Sequence, residues 1–402
     1  MTSSPTYVVV AGGFGTRIRH LPGAAVKVLA PVGSEAFLSR LLRRLYDLDV
    51  EHVHLCLGHG AGAVLNVLAS SRTPLRVTTT VEHAPLGVFG AVRHALAFLG
   101  DPFVLGYGDV LPSTRPRDLV AALAPGVDGV VLAWENHGIS EPSNLVVRNG
   151  NAVAYGQVDH ATYLDVGMAA LRQRALGGRG SDVLGDLAAR GALRALEVGG
   201  PSFHIGDPEH YTEVASLPRG ALDRPRTLPR LLLLDREGVL LRHVDPYVLT
   251  SQDVRPVAGA FEAAGAFALA GCQVAVVTNQ SPIARGLVSQ DFVDRTNAWL
   301  IACLSDLGAD GVRVFVCPHN DTARCDCRKP APGLLLRAMA DAGITPDETW
   351  MVGDDETDLI AAEAARCAAR IHARSGRTLR PSALATHVVP DLRGLASLCG
   401  LF

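Results

Sequence analysis

The sequence predicts an α/β protein of two domains, and three observations carry that prediction. A chain of 402 residues exceeds what one hydrophobic core usually serves, so domains of about 150–230 residues are expected. Short apolar, β-branched runs alternate with stretches of helical spacing along the chain, as strands joined by helices require. Two of these runs, Tyr7–Ala11 and the leucines of 230–234, each deliver a loop dense in glycine or carboxylate. Between the halves, residues 216–229 are rich in proline and arginine and lack periodicity, which reads as a linker. The expected domains are therefore 1–215 and 230–402.

Composition narrows the class. Hydrophobic residues make up 48% and charged residues 19%, a balance that fills cores and disfavours disorder. A formal net charge of −3 without a basic run gives no footprint for nucleic acid or an anionic membrane. No stretch reaches the length of apolar sequence that spans a bilayer, and the first twenty residues lack a secretory pattern. Five of the eight cysteines (Cys56, Cys272, Cys303, Cys367, Cys399) stand singly among apolar residues, as reduced core thiols do, which predicts a reducing cytoplasm.

In the N-terminal half, the first strand breaks into Gly12-Gly13-Phe14-Gly15-Thr16-Arg17. Glycines there let backbone N–H groups approach a phosphate, and Arg17 adds a planar cation. Lys27 follows, then a helix over 36–48, a strand over 53–57, a helix over 61–70 and a strand over 75–81. Glu82-His-Ala-Pro-Leu-Gly87 is a turn opening a helix through Phe98, and 103–109 is a buried strand ending in Asp109. Ligands of open parallel sheets sit at such strand ends.

In the C-terminal half, the strand at 230–234 delivers Asp235 and, two residues on, Glu237. A carboxylate at a strand tip can attack phosphorus while a second acid protonates the leaving oxygen. A strand over 273–277 runs into Thr278-Asn279-Gln280, whose hydroxyl and N–H groups suit a phosphoryl oxygen. A helix over 289–307 and a strand over 312–316 lead to Cys317-Pro-His319, followed five residues later by Cys325-Asp-Cys327-Arg328-Lys329. Three thiolates and an imidazole at this spacing can close a tetrahedral Cys3His shell around structural zinc. Lys329 then stands where the clamped loop would hold an ammonium still. After a helix over 333–342, Gly353-Asp354-Asp355-Glu356-Thr357-Asp358 packs acids that repel one another unless a cation such as magnesium sits among them.

The ordered motifs AGGFGTR, Lys27, EHAPLGVFGA and YGD resemble the sugar-1-phosphate nucleotidyltransferase family over residues 7 to about 215. The resemblance implies a mixed sheet with flanking helices that binds a nucleoside triphosphate through Gly12, Gly13, Gly15, Arg17 and Gly87. It further implies Lys27 at the attacked phosphate, magnesium on Asp109, and Asp165 beside the sugar. Where that family carries D-I-G-x-P-x-D-Y, this chain reads His204-Ile-Gly-Asp207-Pro-Glu-His210-Tyr.

The set LDREG, TNQSPIARG, CPH…CDCRKP and MVGDDETD resembles the haloacid dehalogenase superfamily, in its heptose bisphosphate and histidinol phosphatase branch. This likeness implies a Rossmann-like sheet with a zinc loop. It makes Asp235 the nucleophile and Glu237 its acid, places Thr278 and Lys329 on the phosphoryl group, and puts Asn279, Gln280, Arg285 and Arg328 along the substrate. Magnesium is implied on Asp235, Asp354 and the carbonyl of residue 237, with Asp355 or Asp358 orienting its bound water, and structural zinc on Cys317, His319, Cys325 and Cys327. The joint expectation is a phosphatase taking the 7-phosphate from a heptose 1,7-bisphosphate, fused to a transferase that joins the product to an NTP. Two other readings stand beside it: a phosphatase for histidinol phosphate or another small ester with an inactive N-terminal domain, and a sugar-phosphate or nucleotide binding protein with detuned catalytic groups.

Overall fold

The computed structural model describes residues 4–18, 20–21, 23–136, 138–178, 180–218 and 220–402. The chain divides into two units, Met1–Glu197 with Ser202–Ser216, and Val198–Pro201 with Leu217–Phe402.

The first unit is built on a nine-stranded mixed sheet. Its strands are β1 (Tyr7–Ala11), β2 (His52–Leu57), β3 (Arg76–Val81), β4 (Phe103–Tyr107), β5 (Gly129–Glu135), β6 (Leu145–Arg148), β7 (Asn151–Tyr155), β8 (Tyr163–Leu171) and β9 (Leu193–Val198), in the order β3-β2-β1-β4-β8-β5-β9-β7-β6. The β3-β2-β1-β4 half is parallel, and β8 enters antiparallel to both β4 and β5. Parallel strands are covered on both faces and so read as continuous apolar runs, which is why β1, β2 and β4 are evident from sequence. The register of β1 with β4, Tyr7 opposite Val104, brings the glycine loop after Ala11 and the turn after Tyr107 to the same edge. The expected helix after Glu82 is shorter than its sequence pattern, Gly87–His94 with a separate 3-10 turn at Leu96–Phe98.

The second unit is a six-stranded, wholly parallel sheet: β10 (Leu231–Leu234), β11 (Gln273–Asn279), β12 (Arg313–Cys317), β13 (Thr349–Gly353), β14 (Ala369–Ala373) and β15 (His387–Val389), in the order β12-β11-β10-β13-β14-β15. All four residues of β10 are buried. Strand order reverses direction at β10, which has β11 on one side and β13 on the other, so a crevice opens beyond its carboxyl end. The helix Ala260–Leu269 covers one face through Ala260, Ala263, Ala264 and Phe267, and Gly333–Ala342 covers the other through Leu334, Leu335, Ala338 and Met339.

The stretch expected as a linker is more structured than its composition suggests. The helix Pro208–Ser216 closes the first unit, and Leu217 already belongs to the second, where Ala221 and Leu222 are buried and the Ala221 carbonyl accepts the Val388 N–H. Proline and arginine hid two apolar anchors. Among the described residues no helix is long and apolar enough to cross a membrane.

Phe267 is fully enclosed in the second core. Replacing it with alanine should lower the stability of that unit by about 3–5 kcal/mol, read by urea denaturation; a loss below about 1 kcal/mol would contradict the packing described.

Candidate active site

The carboxyl ends of β10, β11 and β13 bring together the groups singled out in the C-terminal half. Leu234 pairs with Val276 on one side and Val352 on the other, which sets Asp235, Thr278 and Asp354 around one point. Asp235 is tied to the sheet by its N–H, which donates to the Val352 carbonyl at 2.9 Å. Lys329, 3% exposed, lies 2.8 Å from Asp235 Oδ1 and 2.6 Å from Asp358 Oδ1, and its ammonium also donates to the Val277 carbonyl at 2.9 Å. Burial works against its charge, but Asp235 and Asp358 outweigh burial and hold it protonated.

One ammonium does not neutralise the acids around it. Oxygens of Asp235, Asp354 and Asp358 lie within 4.8 Å of one another. Burial, the Asp358 charge and Glu237 push Asp235 up to about 7 against the pull of Lys329. Burial and the charges of Asp235 and Asp358 likewise raise Asp354. Three converging hard oxygen ligands with surplus negative charge are what a magnesium ion requires, so these residues fit one. Gly238, at φ +84°, is obligatory beside them, because a Cβ there would stand 2.2 Å from the Asp354 carboxyl carbon.

The side chains of Asp355 and Glu237 have partners of their own. Asp355 caps the helix Glu356–Ala364, its Oδ1 accepting the Thr357 N–H and hydroxyl, each at 3.0 Å. Of the two acids expected beside the metal, Asp358 supplies the third converging oxygen, and its Oδ2 accepts the Asp355 N–H. The Glu237 carboxylate accepts from Arg236 Nε at 2.7 Å and Nη2 at 2.5 Å, from the Thr278 hydroxyl at 3.1 Å and from Gln280 Nε2 at 3.0 Å. Burial alone would raise Glu237, yet the Arg236 guanidinium keeps it below the usual carboxylate range. Arg236 is itself 1% exposed and donates Nη1 to Asn297 Oδ1 at 2.7 Å.

Asn279 gives both ends of its amide to the Lys329 backbone: Nδ2 donates to the carbonyl at 2.9 Å and Oδ1 accepts the N–H at 3.0 Å. It fixes Lys329, whereas the sequence suggested a substrate contact. The cleft of about 230 Å³ above these groups is lined by Asp235, Glu237, Asn279, Gln280, Arg328, Lys329 and the acidic cluster. Its far wall is His243, Pro246, Tyr247, Val248 and Arg377, none of which stands out in the sequence. The only available signal was a polar-aromatic loop without period. Burial, then Arg377, lowers His243. Arg285 is absent from this lining and pairs with Asp321 at 2.7 Å.

Cys317, His319, Cys325 and Cys327 close on one another as expected. Their sulfurs are 3.3–3.7 Å apart, and His319 Nδ1 stands 3.6 Å from Cys317 Sγ and 3.2 Å from Cys327 Sγ. A tetrahedral zinc with ordinary bond lengths needs ligand separations of about 3.5–3.8 Å. The residues fit a metal.

In the first unit, Lys27 forms an ion pair with Asp109 at the parallel strand ends. Gly12, Gly13, Gly15 and Arg17 follow β1, and Gly87 begins its helix. A Cβ on Gly12 would meet Glu82 Oε1 at 2.7 Å, so the loop lies directly against that carboxylate. Asp165 is half-buried: it accepts from the Tyr155 hydroxyl and the Gly167 N–H, each at 2.8 Å, and desolvation pushes it up to about 6. Those bonds occupy the carboxylate expected beside a sugar.

Comparison with known proteins agrees with this division. A D-glycero-β-D-manno-heptose-1,7-bisphosphate 7-phosphatase of Pseudomonas aeruginosa is 35% identical over 171 residues, 42% of this chain and 96% of the relative. The chain belongs to that phosphatase family. The enzyme of the same description from Vibrio cholerae is 37% identical over 172 residues, covering 40% of this chain and 91% of the relative. A crystal structure of D,D-heptose 1,7-bisphosphate phosphatase from B. bronchiseptica, complexed with magnesium and phosphate, aligns with a TM-score of 0.39 and 29% identity over 42% of this chain and 96% of that one. Residues 326–395 match the HAD-hydrolase-like family model, and residues 7–195 match the MobA-like NTP transferase domain. This relative of the heptose phosphatases is thus an enzyme with a phosphatase domain and a nucleotidyltransferase domain on one chain.

The raised carboxyl of Asp235 has a consequence for stability. A folded-state value near 7 against an ordinary 3.8 means stability that is complete below about pH 4 and is lost as pH rises through about 7. Relative to Asp235→Asn, metal-free wild type should therefore weaken by a few kcal/mol, roughly, between those limits, and magnesium should reverse the loss. Urea denaturation across that range, with and without magnesium, tests this; a pH-independent difference would refute it.

Proposed function

We propose that this chain removes the 7-phosphate of a heptose 1,7-bisphosphate in its phosphatase domain and joins the resulting 1-phosphate to a nucleotide in its transferase domain. The observation that carries the first step is Asp235 at the tip of a buried strand with the Lys329 ammonium 2.8 Å away. A carboxylate oxygen of Asp235 attacks phosphorus, and the bond from phosphorus to the sugar oxygen breaks as Glu237, which must first take up a proton from solvent, delivers it to that oxygen. Water then attacks the aspartyl-phosphate, giving its proton to Glu237 and releasing inorganic phosphate. Thr278 and Lys329 hold the phosphoryl oxygens through both steps, which requires the Thr278 hydroxyl to turn from Glu237 to the phosphate.

Asp235, Asp354 and the Glu237 carbonyl would hold Mg2+, with Asp358 adjoining, and the ion would supply charge neutralisation at the phosphoryl group. Zinc on Cys317, His319, Cys325 and Cys327 would be structural, closed by four protein ligands. In the transferase domain, the sugar 1-phosphate oxygen attacks the α-phosphorus of an NTP and pyrophosphate leaves. The glycine loop with Arg17 and Gly87 would cradle the triphosphate, Lys27 would neutralise the attacked phosphate, and Asp109 would hold a second Mg2+. Freeing Asp109 for that task requires Lys27 to release it. Both substrates are small and highly charged, and the unpaired cysteines agree with a reducing cytoplasm.

Phosphate release from heptose 1,7-bisphosphate should fall at least about 10³-fold in Asp235→Asn, measured with a phosphate-binding reporter; unchanged turnover would sink the mechanism. Adding each NTP to the dephosphorylated product should yield pyrophosphate in wild type and none in Lys27→Met. If no nucleotide supports pyrophosphate release in wild type, the transferase half of the proposal is wrong.

A further inference from the structure

Beside Asp109 in the first unit, Glu141, His204 and His210 are gathered so that one ligand atom from each lies within 4.8 Å of the others. Three separate elements supply them. Glu141 sits in the turn after β5, where the buried Asn136 pins the loop by donating to the Glu141 carbonyl at 2.5 Å and to the Ser143 hydroxyl at 3.1 Å. His204 lies on the short strand Phe203–His204, paired in register with Val110, one residue past Asp109. His210 is on the helix Pro208–Ser216, and Asp207 both caps that helix, accepting the His210 N–H at 3.1 Å, and takes His210 Nδ1 at 2.8 Å. The two imidazole rings lie with centroids 3.9 Å apart and planes tilted by 32°, and His204 Nε2 is 2.9 Å from Glu141 Oε1.

We propose that Glu141, His204 and His210 bind a borderline divalent cation, zinc foremost. The donor set is two imidazoles and one carboxylate, which suits zinc and excludes magnesium as a preferred occupant. The Asp207 bond fixes His210 as the tautomer protonated on Nδ1, leaving the Nε2 lone pair for a metal, in the carboxylate–histidine–metal arrangement that orients such ligands. His204 begins differently. Its Nδ1 accepts the Gly206 N–H at 3.1 Å, so Nε2 carries the proton and donates it to Glu141 when no metal is bound. Metal on Nε2 displaces that proton, which is taken up at Nδ1 at the expense of the Gly206 bond. With three protein ligands the shell keeps an open position, able to take water or a phosphate oxygen, beside Asp109, whose Oδ2 comes within 3.6 Å of the position a Cβ on Gly206 would fill. The metal-binding claim does not depend on the transferase reading.

The test uses the full chain, stripped of metal, kept in millimolar magnesium to occupy the acidic cluster, and titrated with zinc alone against a chromophoric chelator. Wild type should bind two zinc ions per chain. Cys325→Ser with Cys327→Ser should abolish one, and His204→Ala or His210→Ala the other, while Asp207→Asn should weaken the second about 10- to 100-fold. In cobalt, the cysteine site gives intense thiolate charge-transfer bands, and the second equivalent should add only weak visible absorption. One equivalent or none in wild type overturns the proposal without reliance on any variant, as does a second equivalent that survives the histidine substitutions.

Discussion

A buried ammonium shared between two carboxylates is the interaction on which the phosphatase domain turns. Lys329 meets Asp235 and Asp358 at 2.8 and 2.6 Å with almost no solvent access. A charge enclosed in this way is tolerable only when its partners are fixed, since removing one leaves the other buried and uncompensated. The chain holds it from two directions. Asn279, at the end of β11, clamps the Lys329 backbone on both sides of its peptide, and Cys327, two residues earlier, belongs to the cysteine–histidine cluster. The loop is therefore rigid because it is anchored both to the sheet and to its own ligand set, and the ammonium inherits that rigidity.

The neighbouring carboxylate obeys the opposite logic. Glu237 is surrounded by donors, two from Arg236 and one each from Thr278 and Gln280, and so rests ionised. A proton donor to a leaving group needs the reverse. In the proposed mechanism Thr278 would turn to the phosphoryl oxygens, and the donor so withdrawn from Glu237 would make its neutral form easier to reach, against the Arg236 guanidinium that remains the larger influence.

Much of this was legible because parallel strands announce themselves. Buried on both faces, β1, β4, β10, β11 and β13 read as unbroken apolar runs, and the residues just past each run land at the carboxyl edge. That placed Asp235, Thr278, Asp354 and Asp109 with no knowledge of side-chain packing, and ligand spacing alone grouped the cysteines. The features that escaped were set by tertiary contact. Nothing in the string LDREG says that Arg236 turns inward to Asn297, sixty-one positions away. Asn279 looked like a substrate contact because its use on the Lys329 backbone depends on where a distant loop returns. Asp165 looked free, although the Tyr155 hydroxyl occupies it in the fold. The antiparallel strands β6 and β7 carry weaker patterns joined by a short turn, and the anchors Ala221 and Leu222 were masked by prolines around them.

The far wall of the phosphatase cleft has a different origin from its floor. The reacting groups stand on strand tips and on the clamped Lys329 loop, whereas His243, Pro246, Tyr247 and Val248 come from one irregular segment that supplies none of them. The reacting groups and most of this lining are therefore supplied by separate stretches of chain, Arg377 excepted, whose N–H donates to Asp354 at 2.6 Å. Substitutions in that one segment would therefore reshape the cleft while leaving Asp235, Lys329 and the acidic cluster in place.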